Sequence, residues 1–236
     1  MTLFDGRVLP RWMRHIVKQV ARAPGFAQHS ELLARFHWQA RLGETRREFR
    51  NAPVFPSRED LYFHVNQAFF NGGRVAMDFL EFGVFQGASL KTWSTLNHNP
   101  ETRYWGFDSF EGLPEDWHAG KEKGTFSTFG KAPSIDDSRV QLVVGWFQDT
   151  LPSFLASYKP RHRLVVHNDS DLYSSTLYCL TIMNSVLRSG TIVIFDDFYD
   201  SMHQYRALTD YCSAYLRSFK VIGMTRHIGQ AAVEMN

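Results

Sequence analysis

The chain has 236 residues, of which 44% are hydrophobic and 21% are charged, the composition of a soluble globular protein with a substantial core. A formal net charge of +2 gives no general signature of nucleic-acid binding, so we expect no nucleic-acid partner. Cys179 and Cys212 share no metal-ligand spacing, and the first residues show neither a signal-peptide core nor a membrane span. A reducing compartment, the cytoplasm, is therefore the expected location.

Residues 1–58 form a predicted basic helical extension, in which arginines outnumber acidic residues, and residues 59–236 form a second predicted unit. Apolar residues of the extension recur at helical spacing in two groups, Trp12, Ile16 and Val20, then Leu32, Leu33 and Phe36. This spacing predicts two amphipathic helices. The extension is compatible with a lid, the arm of a homo-oligomer, a contact with an anionic surface, or a packing appendage with a solvated basic face.

Pro53 and Pro56 separate the extension from the rest, and Ser57 predicts the capped start of a helix that reaches Gly72. Strands are predicted at 77–83, 103–108, 140–145, 163–168 and 191–196, and helices at 87–98, 149–157, 174–188 and 201–217. This alternation predicts an α/β fold, a Rossmann-like parallel sheet with helices on both faces. Residues 219–235 predict a C-terminal hairpin that supplies an antiparallel edge.

The stretch from Met77 to Ser89 predicts a strand, a tight glycine turn and a helix N-terminus. Gly83 and Gly87 would let the backbone approach a ligand closely, and Glu81 would accept hydrogen bonds or pair with a cationic ligand group. Two glycines four residues apart are equally typical of an ordinary turn. However, Asp108 follows Gly87 by 21 residues, close to the offset of about 20 at which an acidic side chain meets a ribose in dinucleotide folds. Together these features predict a nucleoside-containing ligand.

Three carboxylates follow the ends of two later predicted strands: Asp169 after the first, and Asp196 and Asp197 after the second. Because carboxyl ends of neighbouring parallel strands meet at one edge of the sheet, we expect these acids to lie together. Crowded carboxylates would favour a hard divalent cation such as Mg²⁺ or Ca²⁺. The alternative is helix capping, which we expect for Asp171 or Asp200. For the nearby His167 and His203 we expect structural hydrogen bonds.

Five segments in order carry a resemblance to a known family. They are E-F-G-V-F-Q-G-A-S (81–89), G-F-D-S-F-E-G-L-P (106–114), G-W-F-Q-D-T-L-P (145–152), D-S-D-L-Y-S-S-T (169–176) and I-F-D-D (194–197). With them, the chain resembles the class I S-adenosylmethionine-dependent methyltransferases, and within these the macrocin O-methyltransferase (TylF-like) group, whose characterised members methylate sugar hydroxyls on antibiotics.

The resemblance implies specific roles for individual residues. The implied cofactor contacts are Glu81, Gly83, Val84, Gly87, Ser89, Asp108, Ser109, Gly145 and Trp146. Among them, Asp108 would bind the ribose, and Gly145 and Trp146 would lie near the adenine. Asp169, Asp196 and Asp197 match the metal-binding acids of the group, and Asp169 also holds the position of the general base.

The sequence departs from the group's pattern at two places. Phe85 stands in the middle of the glycine loop, where the common pattern has glycine. His167 and Asn168 precede Asp169, where the group usually has Arg-Leu. The second departure lies beside the expected general base, so it concerns the acceptor side of the site.

The function implied is an S-adenosylmethionine-dependent, divalent-metal-assisted O-methyltransferase that acts on a hydroxyl of a sugar or small-molecule natural product. One alternative, a nucleotide-dependent oxidoreductase on a Rossmann fold, shares the glycines and Asp108 but leaves the three later acids unexplained. A second alternative is a non-catalytic S-adenosylmethionine-binding module, for which a divalent cation would have no effect.

Overall fold

A computed structural model describes residues 26–48 and 51–236, which include one eight-stranded sheet. The strands are β1 (Val54–Phe55), β2 (Met77–Phe82), β3 (Arg103–Asp108), β4 (Val140–Val144), β5 (Arg163–Asn168), β6 (Ile192–Phe195), β7 (Phe219–Thr225) and β8 (Ala231–Met235). The α-helices of the described residues are α1 (Phe26–Glu48), α2 (Arg58–Phe70), α3 (Ala88–Leu96), α4 (Phe147–Ser157), α5 (Tyr173–Ile182) and α6 (Gln204–Tyr215).

The sheet order is β1-β7-β8-β6-β5-β2-β3-β4. The last five strands in this order, β6, β5, β2, β3 and β4, are parallel to one another. From β2 the chain adds β3 and β4 on one side, then returns to place β5 and β6 on the other. This reversal is a topological switch point, where open α/β sheets bind ligands beyond the strand ends. The predicted α/β Rossmann-like architecture is confirmed.

The core lies on both faces of the sheet. All six residues of β2 are buried, as expected for a strand covered on both sides. Its Phe79 joins a cluster with residues of α2 and α3, whereas its neighbour Leu80 joins a cluster with residues of α4, α5 and α6. Alternating side chains of a strand point to opposite faces, so this run holds both helical layers onto the sheet.

The C-terminal hairpin forms as predicted, but it does not supply the edge of the sheet. Strand β8 is antiparallel to both β6 and β7 and lies between them, while β7 pairs in parallel with β1. In the described residues β1 forms the edge on this side of the sheet, and β4 forms the other edge. Strand β1 is a pair of residues between Pro53 and Pro56 that is too short to give a periodic signal. The division predicted after residue 58 falls just inside α2, which begins at Arg58, whereas β1 before it pairs with the same sheet.

Helix α1 corresponds to the second amphipathic helix predicted in the basic extension; the first falls on residues 1–25, outside the described residues. The face that packs is not the predicted one. Leu42 is fully buried and Trp38 contacts Tyr205 edge-on, with ring centroids 6.3 Å apart. Leu32, Leu33 and Phe36 are instead exposed by 51%, 66% and 64%. Within the described residues, no α-helix is both long and apolar enough to cross a bilayer.

Helix α2 starts at the residue predicted from its cap. The Ser57 hydroxyl accepts a hydrogen bond from the backbone N–H of Asp60 at 3.1 Å, which satisfies a donor of the first turn. The helix ends at Asn71, whose backbone is left-handed. The cap therefore fixes the first turn of α2 near the carboxyl ends of the central strands.

We predict that Gly83→Ala is far more destabilising than Gly120→Ala. Both glycines have positive φ, +89° and +82°, so both variants share the strain of a left-handed alanine. A Cβ on Gly83 would lie 1.9 Å from the carbonyl oxygen of Asp169, whereas a Cβ on Gly120 has nothing within 4 Å. Urea unfolding should show Gly83→Ala losing at least about 2 kcal/mol more than the control. Equal losses would contradict the packing of β2 against the end of β5.

Candidate active site

A cavity of about 350 Å³ opens at the carboxyl ends of β2, β3, β5 and β6, at the switch point of the sheet. Its volume is in the range of small-molecule sites. Most of the predicted site residues line it: Gly83, Asp108, Ser109, Gly145, Trp146, Asp169, Asp196 and Asp197. The structure therefore brings the expected ribose-binding acid and the expected metal-binding acids into one cavity.

The other predicted cofactor residues, Glu81, Val84, Gly87 and Ser89, do not line this cavity. Glu81 is fully buried and accepts a short hydrogen bond from the Ser89 hydroxyl. Gly87 precedes α3 with φ +77°, and the side chains of Pro133 and Ile135 cover it. These residues lie around the glycine turn but outside the cavity lining. The direct cofactor contacts implied for them therefore remain predictions.

Asp108 organises the glycine turn through its carboxylate. Oδ2 accepts the backbone N–H groups of Val84 and Phe85, both at 2.8 Å, and Oδ1 accepts that of Phe110 at 2.7 Å. A carboxylate has about four acceptor positions, so this side chain can still accept a further hydrogen bond from the cavity. Phe85, the departure in the glycine loop, adopts a left-handed φ of +50° and lines the cavity.

The acids converge in a set that differs from the predicted trio. Carboxylate oxygens of Asp169, Asp171 and Asp197 all lie within 4.8 Å of one another. Asp171 was expected to cap a helix, and that expectation is wrong: α5 follows Leu172, and its N-terminus has no side-chain cap. Asp171 has φ +56°, a backbone conformation that turns its side chain toward the other acids rather than along the helix axis. Asp200, the other expected cap, accepts the N–H of Met202 at 3.1 Å, but this contact precedes α6, whose N-terminus at His203 also has no side-chain cap.

Asp196 lines the same cavity but has a different partner. Its Oδ1 lies 3.7 Å from Nη1 of Arg58, at the start of α2, and its side chain is only 14% exposed. Arg58 also lines the cavity. The adjacent Asp196 and Asp197 therefore face a cation and an acidic cluster, respectively.

The crowding of the acids changes their proton affinity. Burial, followed by the charge of Asp196, raises the pKa of Asp169 well above its usual range. Burial and the charge of Asp197 raise the pKa of Asp171 to about 8. Burial also raises the pKa of Asp197 to about 6, although its hydrogen bond with Asp171 acts in the opposite direction. At neutral pH the cluster thus retains protons that ordinary aspartates would have lost.

A buried polar group lies beneath the acids, on the side of α2. The hydroxyl of Tyr62 and Nε2 of His167 are 2.8 Å apart, and Nδ1 of His167 is 3.6 Å from a carboxylate oxygen of Glu81. Burial lowers the pKa of His167, but the carboxylates of Glu81, Asp169 and Asp196 together outweigh burial, and the pKa is raised. On the opposite side of the acids, Nδ1 of His203 accepts the N–H of Tyr173 at 3.1 Å. Both histidines thus make the structural hydrogen bonds expected of them.

The fold and the cavity together define a Rossmann-like α/β protein with an acidic ligand site at the switch point of its sheet. The sequence model of the macrocin-O-methyltransferase (TylF) family matches residues 63–217, which is more than half of the chain. The chain belongs to this family, as its sequence segments predict.

Two curated relatives come from natural-product pathways. A tetracenomycin-related enzyme of Streptomyces olivaceus, 8-demethyl-8-(2,3-dimethoxy-alpha-L-rhamnosyl)-tetracenomycin-C 4'-O-methyltransferase, is 33% identical over 159 residues, covering 55% of this chain and 58% of the relative. Demethyldecarbamoylnovobiocin O-methyltransferase of Streptomyces niveus is 31% identical over 166 residues, covering 59% and 62%. The chain thus spans about three fifths of the length of these curated relatives.

Solved structures agree on the fold. The O-methyltransferase NovP superposes with a TM-score of 0.58 at 23% identity, over 75% of this chain and 78% of NovP. A calicheamicin methyltransferase superposes with a TM-score of 0.56 at 20% identity, over 99% of both chains. At these identities the likeness shows a common architecture.

The acid cluster predicts a stability that falls as pH rises in chelator. The pKa of an aspartate in the unfolded chain is near 4, whereas in the folded protein the pKa is about 6 for Asp197 and about 8 for Asp171. Acids with a raised pKa in the folded state stabilise the fold fully at a pH below about 4. They lose that contribution as the pH rises through their pKa in the folded protein. Each proton retained only by the folded state contributes a slope of up to about 1.4 kcal/mol per pH unit. Urea unfolding of the wild type from pH 5 to 9 should show this loss, which Asp171→Asn should reduce.

The exposed Asp136 provides a matched control, because Asp136→Asn removes the same charge without touching the cluster. It should leave the pH dependence of the free energy of unfolding unchanged. A pH dependence identical in the wild type and Asp171→Asn would show that the three carboxylates do not interact as the geometry indicates.

Proposed function

We propose that this protein is an S-adenosylmethionine-dependent O-methyltransferase that acts on a hydroxyl group of a sugar or another small natural product. The observation that carries the proposal is one cavity that holds both Asp108 and the converging Asp169, Asp171 and Asp197. A nucleoside-binding side and an oxygen-rich reaction side are what such a transfer needs. Membership of the macrocin-O-methyltransferase family and the sugar and antibiotic names of the relatives support it.

On the nucleoside side, Asp108 would accept the ribose hydroxyls while it continues to hold the glycine turn. Gly145 has φ +140° and is followed by Trp146, and both line the wall next to Asp108, where an adenine ring would lie. S-adenosylmethionine, when bound, supplies the methyl group on a sulfonium centre. The chain's role is to hold that group in line with the acceptor oxygen, because alignment provides much of the rate of a displacement reaction.

The reaction side fits a hard divalent cation. Its donors are all carboxylate oxygens, the ligand type that Mg²⁺ prefers. Burial and repulsion from neighbouring carboxylates raise the pKa values of Asp171 and Asp197 in spite of the nearby Lys121 and His118, and a bound cation would relieve that repulsion. Asp169, Asp171 and Asp197 would hold the ion, and Asp196, predicted from the sequence as a ligand, would join them only on leaving Arg58. A divalent cation, when bound, polarises a hydroxyl and orients a vicinal diol.

The chain's own residues would then move the proton and exclude water. The Asp169 carboxylate is the proposed general base, which takes the hydroxyl proton as the oxygen attacks. Burial that raises its pKa also makes the ionised carboxylate a stronger base. Leu113, Trp117 and Phe126 line the same cavity and form an apolar wall that would keep water from the reacting atoms. An acceptor with both hydroxyls and apolar surface, such as a glycoside, matches the two kinds of lining.

We predict that Asp108→Asn weakens binding of S-adenosylhomocysteine. Charge-assisted hydrogen bonds contribute about 1.5–3 kcal/mol each, so their loss should raise the Kd by about one to two decades. Isothermal titration calorimetry measures this directly, and thermal unfolding without ligand separates it from loosening of the glycine turn, which Asp108 also holds. Asp136→Asn is the charge-matched control. An unchanged Kd in a stable Asp108→Asn protein would show that the ribose lies elsewhere.

We predict that methyl transfer stops in excess chelator and returns with Mg²⁺. Asp169→Asn should reduce kcat the most, by about 10²–10⁴-fold, because it removes a ligand and the proposed base together. Asp171→Asn and Asp197→Asn should weaken Mg²⁺ binding in calorimetry, whereas S-adenosylhomocysteine should bind all three variants normally.

The same titration decides between the two candidate third ligands. If Asp196→Asn weakens Mg²⁺ binding and Asp171→Asn does not, the bound state uses the trio predicted from the sequence. Full activity in chelator would contradict a role for the cation and would leave the methyltransferase proposal to be judged by S-adenosylhomocysteine binding alone.

A further inference from the structure

Residues 109–135, here called the lid, connect β3 to β4 and form one wall of the cavity. The lid is held together by its own backbone: Leu113 donates to Thr125 and accepts from Gly124, both at 2.9 Å, and Trp117 donates to Lys121 at 2.9 Å. Leu113, Pro114, Trp117 and Phe126 of the lid line the cavity. The lid is therefore an ordered unit whose position sets the shape of the reaction side.

Two side-chain hydrogen bonds join the centre of the lid to the body of the protein. In the first, which is exposed, the Ser174 hydroxyl of α5 donates to the Glu115 carboxylate. The second involves the buried Trp117. The indole Nε1 of Trp117 donates to Oδ2 of Asp200 at 3.1 Å, and Trp117 is only 9% exposed. The indole also meets the ring of His203 edge-on, with centroids 6.2 Å apart. A buried indole N–H needs an acceptor, so this contact stabilises the docked position of the lid.

The docked lid touches both loops that carry the acids. Trp117 and Leu113 form a small buried cluster with Leu172, the residue that follows Asp171. Asp200 is on the loop of Asp197, and its N–H donates to the Asp197 carbonyl at 3.1 Å. The lid thus contacts the β5–α5 loop one residue from one acid, and the β6–α6 loop three residues from the other.

We propose that Trp117 is a positioning residue that fixes the acid cluster by anchoring the lid on Asp200 and Leu172. This inference rests on the proposed function for the meaning of the acid cluster, but the anchor itself is a property of the free protein. Loss of the anchor would open the reaction side and let the loops of Asp171 and Asp197 move apart. Gly83, Asp108 and Gly145, at the ends of β2, β3 and β4, lie outside the lid and would keep their positions.

Limited trypsin digestion without ligands tests the anchor. Lys121 and the exposed Lys123 are in the lid, and their cleavage reports how often it is undocked. Trp117→Phe keeps an aromatic ring but removes the donor, and it should raise the cleavage rate about 3- to 10-fold, as expected for one lost hydrogen bond. Asp200→Leu removes the acceptor of Trp117 and also that of the Met202 N–H, so it should raise the rate by at least as much. Asp200→Asn retains an acceptor oxygen and should stay near the wild-type rate.

Phe129→Ala is the matched control, since Phe129 belongs to the lid but is 89% exposed. It should be cleaved like the wild type. The double variant Trp117→Phe/Asp200→Leu should be cleaved no faster than Asp200→Leu alone if the two side chains act through one contact. Equal cleavage of all variants, or cleavage of Asp200→Asn as fast as Asp200→Leu, would overturn the anchor.

Calorimetry with Mg²⁺ tests whether Trp117 positions the acid cluster. If the lid had only a structural role, its undocking would leave Mg²⁺ binding unchanged. Trp117→Phe and Asp200→Leu should bind Mg²⁺ several-fold more weakly, while Asp200→Asn binds like the wild type and S-adenosylhomocysteine binds all of them alike. Unchanged Mg²⁺ binding in variants with an undocked lid would overturn the positioning role. If the wild type itself does not bind Mg²⁺, the cation proposal fails, whereas the anchor is still decided by the digestion.

Discussion

The carbonyl oxygen of Asp169 occupies the space that any side chain at residue 83 would need. This close approach holds the end of β5 against the end of β2. Backbone hydrogen bonds between neighbouring strands continue one residue beyond the end of β2 and of β5. The N–H of Gly83 donates to Phe107, and that of Asp169 donates to Phe82. Because these ends are held together, an acid after β5 and an acid after β3 open into one cavity. The glycine therefore determines the distance between the two halves of the site as well as the approach of a ligand.

Helix α2 supports the same edge of the sheet from one face. Arg58 and Tyr62 are four residues apart, so they project from the same side of the helix, one turn from each other. Arg58 reaches Asp196 after β6, and Tyr62 reaches His167 in β5. A single helical face thus contacts two adjacent strands just below their ends. Since the capped start of α2 is fixed by Ser57, a serine some distance from the cavity contributes to the placement of its charges.

The positions of the central strands along the chain could be predicted from the sequence, and with them much of the cavity. Apolar runs located the central strands, and the acids at their ends, Asp108, Asp169 and Asp197, share the cavity. The features that could not be predicted depend on side-chain direction. Asp171 joins the cluster through a left-handed backbone that no spacing rule indicates, and Asp196 turns to Arg58 because neighbouring side chains near a strand end point to opposite sides. The indole of Trp117 is in a loop without periodicity, so only its contact with Asp200 reveals its place.

Strand β1 is two residues long, yet it covers the outer side of β7, and the carbonyl of Pro53 accepts the N–H of Met224 at 3.0 Å. An uncovered strand with free backbone donors and acceptors is a template for pairing with another chain. No strand of the described residues pairs with the other side of β1, and the flanking Pro53 and Pro56 limit what could pair there because they have no N–H to donate. This short segment therefore protects the backbone groups of β7 from edge-to-edge pairing with another chain. A shortened chain that began after β1 would expose those groups and favour self-association.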